Sequence, residues 1–197
     1  MTSLDSPREY ITVVSGLPRS GTSMVMQMLE AGGMTPLMDE HLKADIDNPG
    51  GYYEYEKISN IAWDNEWLGD AVGKCVKVLA AGVRHMPIKY DYKLIYIQRD
   101  ADEMLISLKK LLIRSGVEPT MVDEDSTTPR EQALMGVERW AEKTGNELLI
   151  VDYNDTLKNP RLTATAIVSF LGIHSTEIEP MATAVYPEYY RNRVVGI

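Results

Sequence analysis

Cysteine and histidine are scarce in this sequence, which has one cysteine, Cys75, and three histidines in 197 residues. A single cysteine excludes an internal disulfide and is typical of a protein that folds in a reducing compartment. The sequence has no group of cysteines and histidines with the spacing of a zinc site. We therefore expect neither a disulfide framework nor a bound metal.

Long apolar runs and an excess of basic charge are also missing. No run approaches the roughly 20 apolar residues of a membrane-spanning helix, and the N-terminal run MTSLDSPREY lacks the apolar core of a signal peptide. These absences predict a cytoplasmic protein with no membrane partner. Aspartate and glutamate total 29 against 20 lysines and arginines, a formal charge of −9. That balance argues against nucleic acid as a partner.

The composition is otherwise that of a soluble α/β protein. Apolar residues make up 44% and charged residues 25% of the chain, and a chain of this length can bury a sizeable core. Strand-like segments near residues 11, 76, 94 and 148 alternate with segments of helical periodicity. The alternation predicts one domain, residues 1–197, built as a three-layer sandwich with a mainly parallel sheet between helices.

A predicted strand, a turn between two glycines and a predicted helix follow one another near the N-terminus. The turn runs from Gly16 to Gly21, and the helix begins at Thr22. The first N–H groups of a helix have no internal partners, and the helix dipole adds partial positive charge there. We therefore expect this turn to bind a phosphate or sulfate group.

The turn differs from a Walker A loop, which has lysine where this chain has Thr22. Its cation is Arg19, inside the turn. The run PRSGTS resembles the 5′-phosphosulfate loop of sulfotransferases that use 3′-phosphoadenosine 5′-phosphosulfate (PAPS). The resemblance implies a fold like that of P-loop nucleoside triphosphatases, a cradle for the donor's 5′-phosphosulfate, and a catalytic role for Arg19. The cradle would comprise Pro18, Arg19, Ser20, Gly21, Thr22 and Ser23.

A second motif lies far along the chain. The apolar segment Tyr92–Gln98 predicts a buried strand that delivers Arg99 to the carboxyl edge of the sheet, where ligands bind in open α/β folds. Ser107 follows on the next predicted helix. The spacing resembles the 3′-phosphate site of sulfotransferases, in which a forked guanidinium and a hydroxyl hold the phosphate. Together the two motifs imply PAPS as the donor and no need for a metal.

The general base is the point where the chain departs from the family pattern. In cytosolic sulfotransferases a strand ends in K-T-H, whose histidine is the base. The matching predicted strand, Cys75–Ala80, reads K-V-L, so Leu79 stands where that histidine would be. Glu54 is the first candidate base, since glutamate takes this role elsewhere in the superfamily. His85 is the second.

The implied reaction is sulfuryl transfer to a hydroxyl or amine of a small-molecule or carbohydrate acceptor. Aromatic residues at 52–55 and 63–67 are predicted to line the acceptor cleft. Two alternatives stay open, a nucleotide-dependent kinase of the related fold and a non-catalytic protein that binds nucleotide or another phosphoanion. The kinase alternative predicts that the protein binds ATP and depends on Mg²⁺, whereas a sulfotransferase would not.

Four further expectations concern local structure. Residues 57–68 are predicted to form a helix, and the polar segment 114–128 a lid or substrate loop. The helix after Arg99 is expected to bury an apolar stripe, and arginines in the tail are possible phosphate ligands. The stripe comprises Met104, Leu105, Leu108, Leu111 and Leu112, and the tail arginines are Arg191 and Arg193.

Overall fold

The computed structural model describes residues 8–39, 50–114, 116 and 128–186. Most of the predicted lid and the tail arginines, Arg191 and Arg193, lie outside these described residues. The strands are β1 Ile11–Gly16, β2 Cys75–Lys77, β3 Tyr92–Gln98 and β4 Glu147–Asp152. The α-helices are α1 Thr22–Ala31, α2 Ala80–Val83, α3 Ala101–Arg114, α4 Thr128–Thr144, α5 Tyr153–Lys158, α6 Pro160–Leu171 and α7 Ile178–Thr183. Short 3₁₀ helices span Glu56–Asn60, Glu66–Ala71 and Ser175–Glu177.

The strands form one parallel sheet in the order β2-β1-β3-β4. In the centre of the sheet, Val13 pairs with Val76 on one side and with Leu94 on the other. At the far edge, Gln98 pairs with Asp152. Because the strands are parallel, their carboxyl ends meet at one edge, and the segments that follow them are brought together there.

Side chains alternate across the sheet and build two cores. Val14 and Ile95 face one layer, which contains α1, α6 and α7. Val13 and Leu94 face the other, which contains α2 and α4. All four side chains are fully buried, so the predicted three-layer α/β sandwich is confirmed. Within the described ranges, no helix has both the length and the apolar character needed to cross a membrane.

The predicted helix at 57–68 is wrong. The structure has two 3₁₀ helices, Glu56–Asn60 and Glu66–Ala71, with a turn between them. Asparagine and aspartate side chains in the intervening segment favour turns over a continuous helix. Trp67 is buried, whereas Trp63 is 91% exposed, so only Trp67 belongs to the core.

The strand predicted at Cys75–Ala80 is shorter than expected. It ends at Lys77, because Leu79 becomes the N-cap residue of α2. The amide of Val78 still donates to the carbonyl of Val14, over 3.0 Å. Lys77 therefore lies at the carboxyl end of β2, next to the end of β1.

The inner face of α3 also differs from the predicted apolar stripe. Glu103 and Ser107 are buried, at 5% and 4% exposure, whereas Met104, Leu105 and Leu108 are only half-buried. The helix starts at the carboxyl edge of β3. Its inner face is therefore directed at the residues gathered there and not at the apolar core.

Candidate active site

The turn between β1 and α1 is tightly packed, and two glycines make it possible. A Cβ atom at Gly16 would lie 2.5 Å from Oγ of Ser20 and 2.7 Å from the carbonyl oxygen of Ile97. Gly21 has a φ of +106°, and a Cβ there would lie 2.4 Å from the Tyr153 ring. Arg19 itself has a φ of +69°, which is uncommon for a residue with a side chain. The sequence thus specifies one backbone path through the turn.

Ser20 and the start of α1 give this turn the properties of an anion site. Ser20 is 1% exposed, and its Oγ has no hydrogen-bond partner among the described residues. Buried hydroxyl groups are nearly always hydrogen bonded, so a bound phosphate oxygen would satisfy it. The helix begins at Thr22, and its first amides and its dipole attract the same kind of ligand.

The two motifs predicted from distant parts of the sequence are in direct contact. Nε of Arg19 donates to Oγ of Ser107 over 3.0 Å. Nη1 of Arg99 donates to the carbonyl oxygen of Arg19 over 3.3 Å. The turn after β1 and the start of α3 therefore form one continuous basic site at the carboxyl edge of the sheet.

Two residues that the sequence interpretation did not include hold Arg99 in place. Its Nε donates to Oε2 of Glu103 over 3.1 Å, and both side chains are only 6% exposed. Its guanidinium carbon lies 4.2 Å from the centre of the Tyr153 ring, a cation–π contact. Arg99 lies just before α3 and Glu103 in its first turn, and their spacing of four residues was a signal that could have found this pair.

A second group of residues surrounds the carbonyl oxygen of Tyr52. Oγ of Ser23 donates to it over 3.2 Å, and Nζ of Lys77 donates to it over 2.7 Å. The same ammonium group contacts Oε1 of Glu54 at 3.1 Å. Lys77 is 6% exposed and Glu54 is 46% exposed, so the pair reaches from the protein interior to solvent.

Burial lowers the pKa of Lys77 below its ordinary value of 10.5. The carboxylate of Glu54 opposes this effect, and the charge of Arg19 adds to it. Ser23, in the first turn of α1, and Lys77 donate to the same carbonyl oxygen, that of Tyr52. The turn and the Lys77–Glu54 pair are thus adjacent parts of one site.

Tyr53 anchors the segment that carries Glu54. Its φ is +55°, an unusual backbone conformation for an aromatic residue. Its hydroxyl donates to Oε2 of Glu30 on α1, and burial raises its pKa, with the Glu30 carboxylate adding to the effect. Tyr53 packs in the core, and the carbonyl of Tyr52 and the carboxylate of Glu54 on either side of it both contact Lys77.

A cavity of about 400 Å³ opens beside Glu54, within the range of small-molecule sites. It is lined by Asp39, Glu54, Tyr55, Glu56, Ile58, Ser59, Lys77 and Leu79. Leu79, which stands at the position of the family's histidine, is part of this wall. His85 is not; its Nε2 accepts a hydrogen bond from Nε of Arg84 over 3.0 Å on the turn after α2.

The family model of the sulfotransferase domain matches residues 11–195. The chain belongs to the sulfotransferase family. Membership indicates a transferase. No curated protein sequence matches the chain at a significant level.

Solved structures of sulfotransferases share the fold at low sequence identity. A sulfotransferase from Alicyclobacillus acidocaldarius is 13% identical with a TM-score of 0.51, over 84% of this chain and 81% of that one. The mouse sulfotransferase SULT7A1 complexed with PAP is 17% identical with a TM-score of 0.50, over 93% and 68%. Retinol dehydratase in a complex with retinol and PAP is 17% identical with a TM-score of 0.51, over 93% and 67%. These similarities support the fold that the sequence predicts for this chain.

The candidate site thus brings together most of the predicted residues. The turn at 18–23, Arg99 and Ser107 meet in one basic site. Glu54 lies beside this site, where its carboxylate contacts the ammonium group of Lys77. His85 as a base stays a prediction. Across the described parts of the chain, no group of three or more His, Cys, Asp or Glu side chains is arranged to hold a metal ion.

Proposed function

We propose that this protein transfers a sulfuryl group from PAPS to a hydroxyl or amine of an acceptor molecule. The observation that carries the proposal is the contact between the residues of the two predicted phosphate sites, from Arg19 to Ser107 at 3.0 Å and from Arg99 to the Arg19 carbonyl at 3.3 Å. A donor with phosphates on both the 3′ and 5′ positions of one ribose requires two such sites side by side. PAP, 3′-phosphoadenosine 5′-phosphate, is bound in two of the similar structures, which supports the same nucleotide here.

Each half of the donor has its own residues in this proposal. The turn would hold the 5′-phosphosulfate through its amides and through Pro18, Arg19, Ser20, Gly21, Thr22 and Ser23. Arg99 and Ser107 would hold the 3′-phosphate, since a guanidinium fork and a hydroxyl suit a phosphate dianion. The buried hydroxyl of Ser20 supports this assignment because it lacks a partner in the described residues.

The reaction is a displacement at sulfur. The acceptor oxygen or nitrogen forms a bond to sulfur, and the bond from sulfur to the bridging phosphate oxygen breaks. The bonding electrons leave with PAP, and the proton of the acceptor goes to a base. By analogy with phosphoryl transfer, negative charge grows on the bridging oxygen and on the leaving phosphate. Arg19 stabilises that charge from a fixed position in the turn.

Glu54 is the base in this proposal. Its carboxylate is 46% exposed at the cavity and is held at 3.1 Å by the ammonium of Lys77. The ion pair orients the carboxylate toward the cavity, so that it can accept the acceptor proton. His85 is the second candidate, and it lies outside the cavity lining. A positioned general base typically contributes about 10²–10⁴-fold to the rate.

Titration calorimetry of the whole chain tests the donor assignment. PAP is titrated into one sample, and ATP with Mg²⁺ into another. We expect PAP to bind at least about tenfold more tightly than ATP, because ATP lacks the 3′-phosphate for Arg99 and Ser107. Binding of ATP with Mg²⁺ but not of PAP would contradict the donor assignment and favour the kinase alternative.

Leu79 at the histidine position is the observation that favours a non-catalytic alternative. Consumption of PAPS in the presence of a broad panel of alcohols and amines distinguishes the proposed transferase from a non-catalytic binding protein. A chain that binds PAP but consumes PAPS with none of these acceptors would be a binding protein. Turnover with any acceptor would exclude that alternative.

A further inference from the structure

Tyr53 precedes the candidate base Glu54 in the chain and connects it to α1. We propose that Tyr53 is a positioning residue, and that its bond to Glu30 holds the candidate base in a fixed place relative to the anion turn. The inference rests on the proposed sulfuryl transfer and adds Tyr53 and Glu30 to the residues on which the rate depends.

The backbone of Tyr53 has a conformation that needs support. Its φ of +55° lies in the left-handed region, which is disfavoured for a residue with a side chain. Conformations of this kind persist only where the surrounding structure holds them, and they are concentrated at functional sites. Here Tyr53 is 9% exposed in the core layer that contains α1, and its hydroxyl donates to Oε2 of Glu30.

One face of α1 contacts the segment that carries the base. The residues concerned are four and three positions apart, which puts them on the same side of a helix, and they are Ser23, Gln27 and Glu30. Oγ of Ser23 donates to the carbonyl of Tyr52 over 3.2 Å. A Cβ added at Gly50 would lie 1.7 Å from Nε2 of Gln27, so the backbone there runs directly against that side chain.

The groups on either side of Tyr53 both contact the ammonium of Lys77. The carbonyl oxygen of Tyr52 accepts from it over 2.7 Å, and Oε1 of Glu54 accepts over 3.1 Å. A rotation of the backbone at Tyr53 would move these two groups relative to each other. Since α1 also carries the anion turn at its amino end, one helix sets the positions of both the donor and the base. A displacement of about 1 Å in such a geometry can cost as much as about 10²-fold in rate.

Tyr53→Phe keeps the ring and removes the hydroxyl that Glu30 binds. We expect kcat for transfer from sulfur-labelled PAPS to the panel of alcohols and amines to fall about tenfold. The KM for PAPS and the affinity for PAP should stay within about twofold, because the donor ligands are untouched. Glu30→Leu should lower kcat equally, and Glu30→Gln, whose amide oxygen still accepts, should lower it less. The double variant Tyr53→Phe Glu30→Leu should be no slower than either single variant, since one bond is lost in each case.

Two controls distinguish positioning from a general loss of stability. Tyr92→Phe removes a hydroxyl that donates to the Pro87 carbonyl over 2.8 Å, from a tyrosine that is 2% exposed, and it should leave kcat unchanged. In a Glu54→Gln background, Tyr53→Phe should change kcat by less than about twofold, because the base that it positions is already gone. A merely structural role would lower kcat by the same factor in both backgrounds.

Hydrogen exchange reports on the segment without any turnover. The amide of Asp39 donates to the carbonyl of Glu54 over 2.9 Å, so its exchange rate follows the backbone of the base. In Tyr53→Phe we expect this amide to exchange about tenfold faster. The amide of Val78, which donates to the carbonyl of Val14 over 3.0 Å, should keep its wild-type rate.

The outcomes separate this inference from the proposed function. A wild-type kcat in Tyr53→Phe, or unchanged exchange at Asp39, overturns the inference and leaves sulfuryl transfer intact. An equal fall in kcat in the Glu54→Gln background also overturns it. Failure of PAP to bind, or of PAPS to be consumed with any member of the panel, contradicts the proposed function and, with it, the inference.

Discussion

Replacement of Glu103 by glutamine removes the negative charge that pairs with the buried guanidinium of Arg99. The carboxylate and the guanidinium are both 6% exposed and 3.1 Å apart. Removal of one partner of a buried ion pair costs about 3–5 kcal/mol, because the other charge stays buried. In Glu103→Gln the amide oxygen can still accept from Arg99, and the Tyr153 ring still faces the guanidinium at 4.2 Å. We therefore expect a loss of about 2–3 kcal/mol in the free energy of unfolding.

Urea denaturation measures this loss, and thermal unfolding should show a fall in Tm of about 5–10 °C. The matched control is Lys158→Ala, which removes an ion pair with Asp155 whose side chains are both 75% exposed. It should cost less than about 0.5 kcal/mol. Saturating PAP should stabilise Glu103→Gln more than the wild type, because the 3′-phosphate replaces the missing negative charge. A loss below about 1 kcal/mol, with equal stabilisation by PAP, would refute this view of Arg99.

Three other predictions follow from the same geometry. Glu54→Gln should bind PAP within about twofold of the wild type while the transfer rate falls about 10²–10⁴-fold; an unchanged rate in a labelled-donor assay would remove Glu54 as the base. Gly21→Ala forces a Cβ to 2.4 Å from the Tyr153 ring at a φ of +106°. It should cost about 2–4 kcal/mol in urea denaturation, whereas Gly136→Ala, with open space around its Cβ, should cost nothing. The lowered pKa of Lys77 means that the unfolded chain holds more protons than the native one as pH approaches 10.5. Wild-type stability should therefore rise with pH in that range relative to Lys77→Met, and parallel stability curves would exclude a perturbed pKa.

The sequence was sufficient for the parts of the site that short motifs define. The turn at 16–21 depends on two glycines that no other residue could replace without contacts below 3 Å. The position of Arg99 could be predicted because the apolar run before it ends at the sheet edge, as the structure confirms for Tyr92–Gln98; its role in binding stays a prediction. The turn and the end of this strand each depend on residues that are close together in the sequence, so the sequence alone predicts them.

Residues that depend on strand register could not be predicted in this way. Gln98 pairs with Asp152 in the parallel β3–β4 ladder, and this register brings the next residues, Arg99 and Tyr153, together. Val14 pairs with Lys77 in the β1–β2 ladder, which puts a buried ammonium beside the start of the turn. Neither register can be derived from periodicity alone, because alternation specifies which face a side chain occupies and not its partner.

The 3₁₀ helices at 56–60 and 66–71 show a different limit. Apolar residues in this region have a spacing that suits a helix, but the asparagine and aspartate residues between them compete for backbone hydrogen bonds. Packing then decides the outcome: Trp67 is buried against Tyr55, at 5.0 Å, and Trp63 stays exposed. Glu56, Ile58 and Ser59 of this irregular segment line the cavity, so the cavity was harder to predict than the turn at 16–21.

The most direct test of the central claim is the affinity for PAP relative to adenosine 5′-phosphate, which lacks the 3′-phosphate. The comparison uses the wild type, the double variant Arg99→Met Glu103→Leu, which leaves no unpaired buried charge, and the control Arg161→Ala, whose side chain is 69% exposed. The wild type and the control should prefer PAP by at least about tenfold, since charged hydrogen bonds to the 3′-phosphate contribute roughly 1.5–3 kcal/mol. The double variant should lose that preference. If it retains the wild-type ratio, Arg99 does not bind the 3′-phosphate and the proposed bisphosphate-nucleotide site is wrong.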